Sequence, residues 1–343
     1  MLKKLVNEAY FTLRITTTGP LLIKSGYASV SGPDMTPVLT FRNGKQEVFL
    51  PGSSLKGVFR SHIEKIVCSI KPRVVCYPFE GNDDKQAAIS QRQRDYRESC
   101  GAMFTERAKR SEEERKRLEE QTDLVYKESC PTCRLFGSTF FIGRVAIGDA
   151  YLVSPEVKEQ RDGVGIDRLT GGASYGAKFE LEVVSTGVVF ETDIHLRNFE
   201  VWQLGMLFVV LQDMEDELIR IGSGRSRGLG KITAAISTEG KNGRPGGLVT
   251  STIRGHDEPA DELWGLGRWL GDSSYGTIAD KNGKNADLLK LTSPVERTDR
   301  GIRRMRVFTG TELDTLRDAA IEKFLTRMQA WPSYPLPAAQ ARR

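Results

Sequence analysis

The alternation of apolar and polar positions is sharpest at Tyr10 to Thr17, where Phe11, Leu13 and Ile15 interleave with Thr12, Arg14 and Thr16. Period two predicts a half-buried strand, because successive strand side chains point to opposite faces. Residues 18–35 then hold Gly19, Pro20, Gly26, Gly32 and Pro33, too many breakers for regular structure and too long a stretch for a simple connection, which predicts a functional or mobile loop. Extended segments at Thr36–Phe41 and Glu47–Leu50, parted by Asn43-Gly44, predict a small hairpin. The period then changes to that of a helix, with Leu55, Val58, Phe59, Ile63, Ile66 and Val67 on one face. It opens at Pro51-Gly52-Ser53-Ser54, where a serine is expected to cap the free N–H groups of the first turn. Lys56 and Arg60, four apart, share a second face.

From Pro72 to about Ser129 the pattern collapses into charge, and the run Glu106 to Glu120 reads as a solvated helical excursion. Strand patterning resumes at Gly143–Val153, Phe179–Val184 and Val188–Leu196. The Gly-rich stretch 163–177 suggests a projecting hairpin. Phe199 to Ile219 is apolar almost all round before its acidic end, as expected of a buried helix. A short strand near Ile232 closes the series. Stripped of insertions, the order is β-α-β-β-α-β, that of the ferredoxin-like or RRM-like folds, so the expected class is α+β. The C-terminal third reads as Gly/Asn-rich turns, a Trp264 and Trp269 pair, and an amphipathic helix beginning near Thr311 that docks on the main domain or a partner. Leu313, Leu316, Ala320, Phe324 and Met328 share its face. The tail after Trp331 is expected to be disordered.

The chain has 343 residues, 39% of them hydrophobic and 28% charged, which is ample for a packed core and unlike a disordered chain. Its longest apolar stretch, Met206–Leu211, is far short of the roughly 18 residues a membrane span needs. The N-terminus lacks the apolar segment of a secretory signal, and with five cysteines this leads us to expect a reducing cytoplasm. The net charge of +5 hides its layout: residues 1–79 hold 11 Lys/Arg against 4 Asp/Glu, and Arg220–Lys231 carries four basic residues and no acid. Local excess of this kind matters more to a polyanion than the total does.

Three constellations carry candidate chemistry. The loop Gly222-Ser223-Gly224-Arg225-Ser226-Arg227-Gly228-Leu229-Gly230 combines glycines, which let backbone N–H groups approach phosphate, with arginines able to bind it in bidentate fashion. It lacks a nucleotide P-loop's Lys-Ser/Thr ending and leads into a strand, so a polynucleotide backbone is the expected ligand; a mobile surface loop is the alternative. Cys130-x-x-Cys133 is half of a tetrahedral thiolate site for zinc, which Cys76 and Cys100 would complete. The alternative is four reduced cysteines. Cys68 reads as core. Asp34 follows Gly32-Pro33, an ordinary turn position.

Five motifs occur in one order: Pro51-Gly52-Ser53-Ser54-Leu55-Lys56-Gly57 through Arg60; Cys130-Pro131-Thr132-Cys133-Arg134-Leu135-Phe136-Gly137-Ser138; Gly143 to Leu152; Ile166 to Thr170; and the glycine-rich loop. Together they resemble the RAMP superfamily, closely the backbone subunits of type III CRISPR–Cas effector complexes. The resemblance runs from about residue 10 to 235. It implies an RRM-like palm over 1–239, with an insertion at about 72–135 that often bears zinc in such subunits, a β-hairpin thumb at about 155–180, and a C-terminal extension over 240–343. It further implies that Lys24, Ser53, Ser54, Lys56, Arg60, Arg168 and the loop from Gly222 to Gly228 hold CRISPR RNA beside adjacent RAMP subunits. In catalytic members an aspartate before a D-x-P-V-like segment cleaves guide-paired target RNA with a divalent metal, Mg²⁺ or Mn²⁺. Here Asp34-Met35-Thr36-Pro37-Val38 stands in that place. A non-catalytic backbone or capping subunit is the alternative. A guide-processing endoribonuclease is a weaker one, since His62 is a poor candidate for its catalytic histidine.

Overall fold

The strand expected from period two, β1 (Glu8–Thr17), is the axis on which the chain is assembled. In the computed structural model, residues 3–26, 32–78, 95–241, 243–271, 275 and 287–332 are described. The expectation for the tail after Trp331 falls mostly on residues outside these. On one side β1 pairs along its whole length with β8 (Val189–Arg197), from Glu8 opposite Arg197 to Thr16 opposite Val189. On the other side two strands lie end to end: β9 (Ile232–Ile236) against Leu13–Thr17, and β10 (Leu248–Ile253) against Glu8–Tyr10.

Beyond β8 the sheet continues through β5 (Ala150–Leu152), β3 (Lys45–Leu50) and β2 (Leu39–Arg42), with β4 (Val145–Ile147) also on β8. Beyond β10 it continues through β14 (Arg303–Phe308) and β13 (Thr298–Arg300). The result is one antiparallel ten-stranded sheet, and the protein is mixed α+β. The segment Gly143–Val153, expected to be one strand, is two. Gly148 and Asp149 interrupt it, and the Gly148 N–H bonds Asp193 O.

Along most of β1 one face of the sheet is covered. Ala9, Phe11, Leu13 and Ile15 turn into a core that they share with α1 (Gly52–Ile70) and α6 (Val201–Glu215). Among its described residues the insertion has four short helices: α2 (Cys100–Arg110), α3 (Glu112–Glu120), α4 (Thr122–Glu128) and α5 (Pro131–Phe136). Ser111 separates the first two and caps α3 by accepting from Glu114 N–H, so the charged run is two helices, exposed apart from Leu118, the half-buried Glu114 and the residues of α2 that turn inward. Eleven of the 15 residues of α6 are buried because the sheet lies on one side of it and α8 (Gly310–Ala330) on the other. A Cβ at Gly205 would stand 1.9 Å from Ala320 O, so these two helices touch backbone to backbone.

Two local expectations change. Neither Ser53 nor Ser54 caps α1; the Gly52 N–H donates to Asp149 Oδ1 at 2.7 Å instead, and a Cβ at Gly52 would meet Ile147 O at 2.5 Å. A carboxylate from the β4–β5 connection therefore performs the capping. The C-terminal third contains strands where turns were expected. Leu248 to Thr252 are buried one after another, and a strand covered on both faces shows no period of two. Beside these, β11 (Glu262–Trp264), α7 (Leu266–Leu270) and β12 (Leu288–Lys290) form a small layer. There Trp264 and Trp269 meet edge to face at 5.0 Å.

Candidate nucleic-acid interface and metal centre

A hairpin of β6 (Lys158–Ile166) and β7 (Ala173–Val184) leaves the sheet, as the Gly-rich stretch predicted. Its tip is an Asx turn in which Asp167 Oδ1 accepts from the N–H groups of Leu169 and Thr170. Arg168, Leu169 and Tyr175 stand exposed around it.

Three segments distant in sequence converge at the root of this hairpin. Leu21 pairs with Val184, and Met35 with Leu181. Asp34 Oδ2 accepts the backbone N–H of Glu180 at 2.8 Å, while the residue itself remains exposed. From the other side comes the glycine-rich loop, whose Arg227 guanidinium lies 5.3 Å from the centre of the Phe179 ring. Leu22, Leu181, Val183 and Leu229, flanked by Met35 and Phe179, form a separate small core under this junction. Phe179, Glu180 and Leu181 thus meet Arg227, Asp34 and Met35 in succession.

The loop is held largely by backbone, with one side-chain bond from Arg220 to Arg225 O at 2.8 Å. Ser223 N–H donates to Leu22 O and Gly230 N–H to Pro20 O, both at 2.7 Å. Gly222 and Gly230 have φ of 76° and 85°, and a Cβ there would meet Leu22 O at 2.4 Å and Ile221 O at 2.0 Å. Only glycine satisfies both demands. Arg225 to Arg227 make one 3₁₀ turn between Gly224 and Gly228, both left-handed, and Arg225, Ser226 and Arg227 are exposed. The loop therefore presents a rigid backbone with its cations turned to solvent, an arrangement suited to a phosphate chain. Lys24, which pairs with Pro37, is exposed on the segment that leads toward Asp34.

The face of α1 is arranged differently. Ser53 and Ser54 are exposed on its first turn. Lys56 is half-buried, and burial together with the neighbouring Arg60 charge pushes its pKa below the ordinary lysine value. Arg60 bridges three groups: Glu64 Oε1 at 2.8 Å, Gly137 O at 2.9 Å and Cys133 Sγ at 3.3 Å. It lines a cleft of about 420 Å³ with Gly57, Ser61, Cys133, Gly137 and Thr139. The structure thus puts Arg60 against the cysteines and Arg227 at the hairpin. His62 is tied to α6 through Asp213 Oδ2 at 2.5 Å.

Cys76, Cys100, Cys130 and Cys133 are all buried, with their sulfurs within 4.8 Å of one another. Tetrahedral zinc–thiolate bonds of about 2.3 Å place sulfurs about 3.8 Å apart, so four such ligands could hold one zinc ion. Cys133 N–H points to Cys130 Sγ, and Cys130 N–H to Cys100 Sγ. These bonds stabilise thiolate. Hydrogen bonds to Cys100 and Cys130, with burial behind them, hold the Cys76 thiol well above its ordinary pKa. Burial raises Cys130 too, yet bonds from Cys100, Cys133, Cys76 and Thr132 draw it well below. A bound cation relieves that conflict among crowded sulfurs. Phe104, Leu118 and Val125 close the apolar shell. Cys68 stands apart, partly buried at the edge of the main core.

Phe179 and Glu180, which receive Arg227 and Asp34, were not singled out from the sequence. Their roles depend on pairings across about 150 and 50 residues, and no local motif marks them.

The model of the RAMP superfamily matches residues 14–233. The chain belongs to that superfamily, which is typical of type III CRISPR–Cas complexes. Its coarse role is therefore a CRISPR-associated, RNA-binding one, and members of the family bind CRISPR RNA and partner subunits. No curated protein matches the sequence. Among the described residues no helix is long and apolar enough to cross a membrane.

Proposed function

We propose that this protein is a backbone subunit of a type III interference complex that holds CRISPR RNA and cuts the paired target RNA through Asp34. The observation carrying this reading is the junction at residues 179–181, where Asp34 and the cationic loop meet the same strand of the hairpin. Strand order β9-β1-β8-β5, with α1 and α6 on one face, is the order of an RRM-like palm and supports that fold assignment. On this reading residues 1–239 are the palm, β6–β7 the thumb and 240–343 the extension. The cysteines hold structural zinc, and the complex works in the cytoplasm beside adjacent RAMP subunits.

In the proposed mechanism Arg225, Arg227 and the loop N–H groups fix the guide phosphates, with Lys24, Ser53, Ser54, Lys56, Arg60 and Arg168 as further contacts. The hairpin displaces a target nucleotide. Its 2′-oxygen attacks the adjacent 3′-phosphate in line as the Asp34 carboxylate takes the 2′-hydroxyl proton; the bond from phosphorus to the 5′-oxygen breaks, leaving a 2′,3′-cyclic phosphate, and solvent water protonates the departing 5′-oxygen. Mg²⁺ or Mn²⁺, when bound, supplies charge neutralisation at the phosphate. The Glu180 N–H keeps Asp34 at the hairpin root throughout.

A second reading, a guide-holding subunit that does not cut, is favoured by that same hydrogen bond, since a carboxylate that staples a loop to a strand has a structural reason to be there. Sequencing of co-purified RNA tests what the two readings share. Short repeat–spacer RNAs retained at stringent salt are expected, and recovery of random RNA or none would overturn both.

A further inference from the structure

The uncovered face of the sheet carries a cleft that neither guide holding nor target cleavage uses. Its volume is about 400 Å³, within the usual range of roughly 300–1,000 Å³ for small-ligand sites. Tyr10 and Thr12 of β1 and Asp193 and His195 of β8 form its floor. Its cationic walls all come from residues beyond the family match: Lys241 and Arg244 from the β9–β10 connection, Arg300 and Arg303 from β13 and β14.

The charges there do not cancel. Two acids line the cleft against these four cations. Glu8 is 4% exposed and already receives His195 Nε2 at 2.8 Å, Ser251 Oγ at 3.4 Å and Arg303. Asp193 accepts from Thr12 Oγ1 at 2.8 Å and Arg244 at 3.4 Å. Lys241 reaches Glu191 just outside. Arg300 donates to the uncharged Gly243 O at 2.7 Å and has no carboxylate partner among the described residues. The Arg244 guanidinium stands 5.5 Å from the Tyr10 ring centre. With Nε2–H given to Glu8, the His195 Nδ1 is an acceptor. Burial and the neighbouring Arg197 and Arg244 charges push that imidazole's pKa down.

We propose that this cleft binds a phosphorylated nucleoside unit, with phosphate on Arg300 and Arg244 and the base against the guanidinium plane and the His195 ring. The C-terminal segment thereby adds an RNA or nucleotide site to the palm, on the face away from α1 and α6. Two sources share this chemistry, a free nucleotide and one unit of an RNA strand.

Photo-cross-linking separates them, with 4-thiouridine monophosphate and a 4-thiouridine-containing decauridylate as probes on the full chain. The cross-linked peptides are identified by mass spectrometry. Cross-links to the peptides holding Tyr10 or His195 are expected. They should fall at least tenfold in Arg244→Ala/Arg300→Ala and persist in Arg225→Ala/Arg227→Ala. Labelling by the decamer alone identifies a strand, and labelling by both identifies a nucleotide pocket. A far-ultraviolet circular dichroism spectrum and melting curve unchanged by Arg300→Ala alone guard against misfolding, and that single variant should already weaken labelling. Absence of cleft labelling by either probe, or labelling unaffected by these variants, overturns the proposal. Loss of loop labelling with cleft labelling intact would instead count against the guide-holding role of the loop alone.

Discussion

The cysteine centre and the hairpin junction are built on opposite principles. At the first, four thiols are drawn out of water and packed under Phe104, Leu118 and Val125, so that the ligands themselves fix the geometry. At the second, Asp34, Arg225 and Arg227 stay in water, and their positions are set by backbone bonds, positive-φ glycines and one small apolar core beneath them. Burial suits a site that must hold one ion permanently. Exposure suits a surface that must receive and release a long anion, because a cation already buried against a partner has little left to offer phosphate. Arg60 lies between these regimes, on the helix face where guide contacts are expected yet hydrogen-bonded to Cys133.

The largest effect should come from the closed site. Cys130→Ser/Cys133→Ser removes two of four ligands, and metal analysis should fall from one zinc per chain to none, with a stability loss upward of about 4 kcal/mol in chemical denaturation. A metal-free but equally stable wild type would break the comparison at its root. At the open site the expected effect is on affinity. Arg225→Ala/Arg227→Ala should weaken RNA binding by roughly tenfold per arginine and reduce the salt slope by about 1.4, with the melting temperature unchanged.

Gly230→Ala probes the scaffold beneath those arginines. A Cβ at that left-handed position meets Ile221 O, so a loss of about 1–3 kcal/mol is expected together with weaker RNA binding. A smaller effect concerns the layer formed by the C-terminal third. Glu258 is buried against Arg306, and burial pushes its pKa up to about 7 despite that partner. A carboxyl whose folded pKa is raised above its unfolded value favours folding while protonated. Stability should therefore decline as pH rises from about 4.5 to 7 and level off above, by about 3 kcal/mol at most. Glu258→Gln should flatten that part of the profile in thermal melts.

The contrast also explains what was legible in the amino-acid order. Cys130-x-x-Cys133 is a local spacing, and the strands and helices of the palm announce themselves by period. Gly222 to Gly230 was recognisable because glycine has few other uses at that density. What escaped was settled at a distance. Asp149 caps a helix 97 residues earlier, which displaced the serines from that task. Glu180 meets Asp34 across 146 residues. The strand Leu248–Ile253 contains Thr250, Ser251 and Thr252, all polar and all buried. Composition there suggested turns, while pairing with β1 and β14 made a strand. Arg60 read as a guide contact beside Lys56, and nothing local announced its hydrogen bond to Cys133, 73 residues away.

The most direct test of the central claim uses a reconstituted complex carrying Asp34→Ala, with guide content and target cleavage measured side by side. The guide complement should be unchanged, and target cuts at the sites this subunit faces should be lost. Undiminished cleavage at every site would contradict that claim and leave a subunit that holds RNA without cutting it.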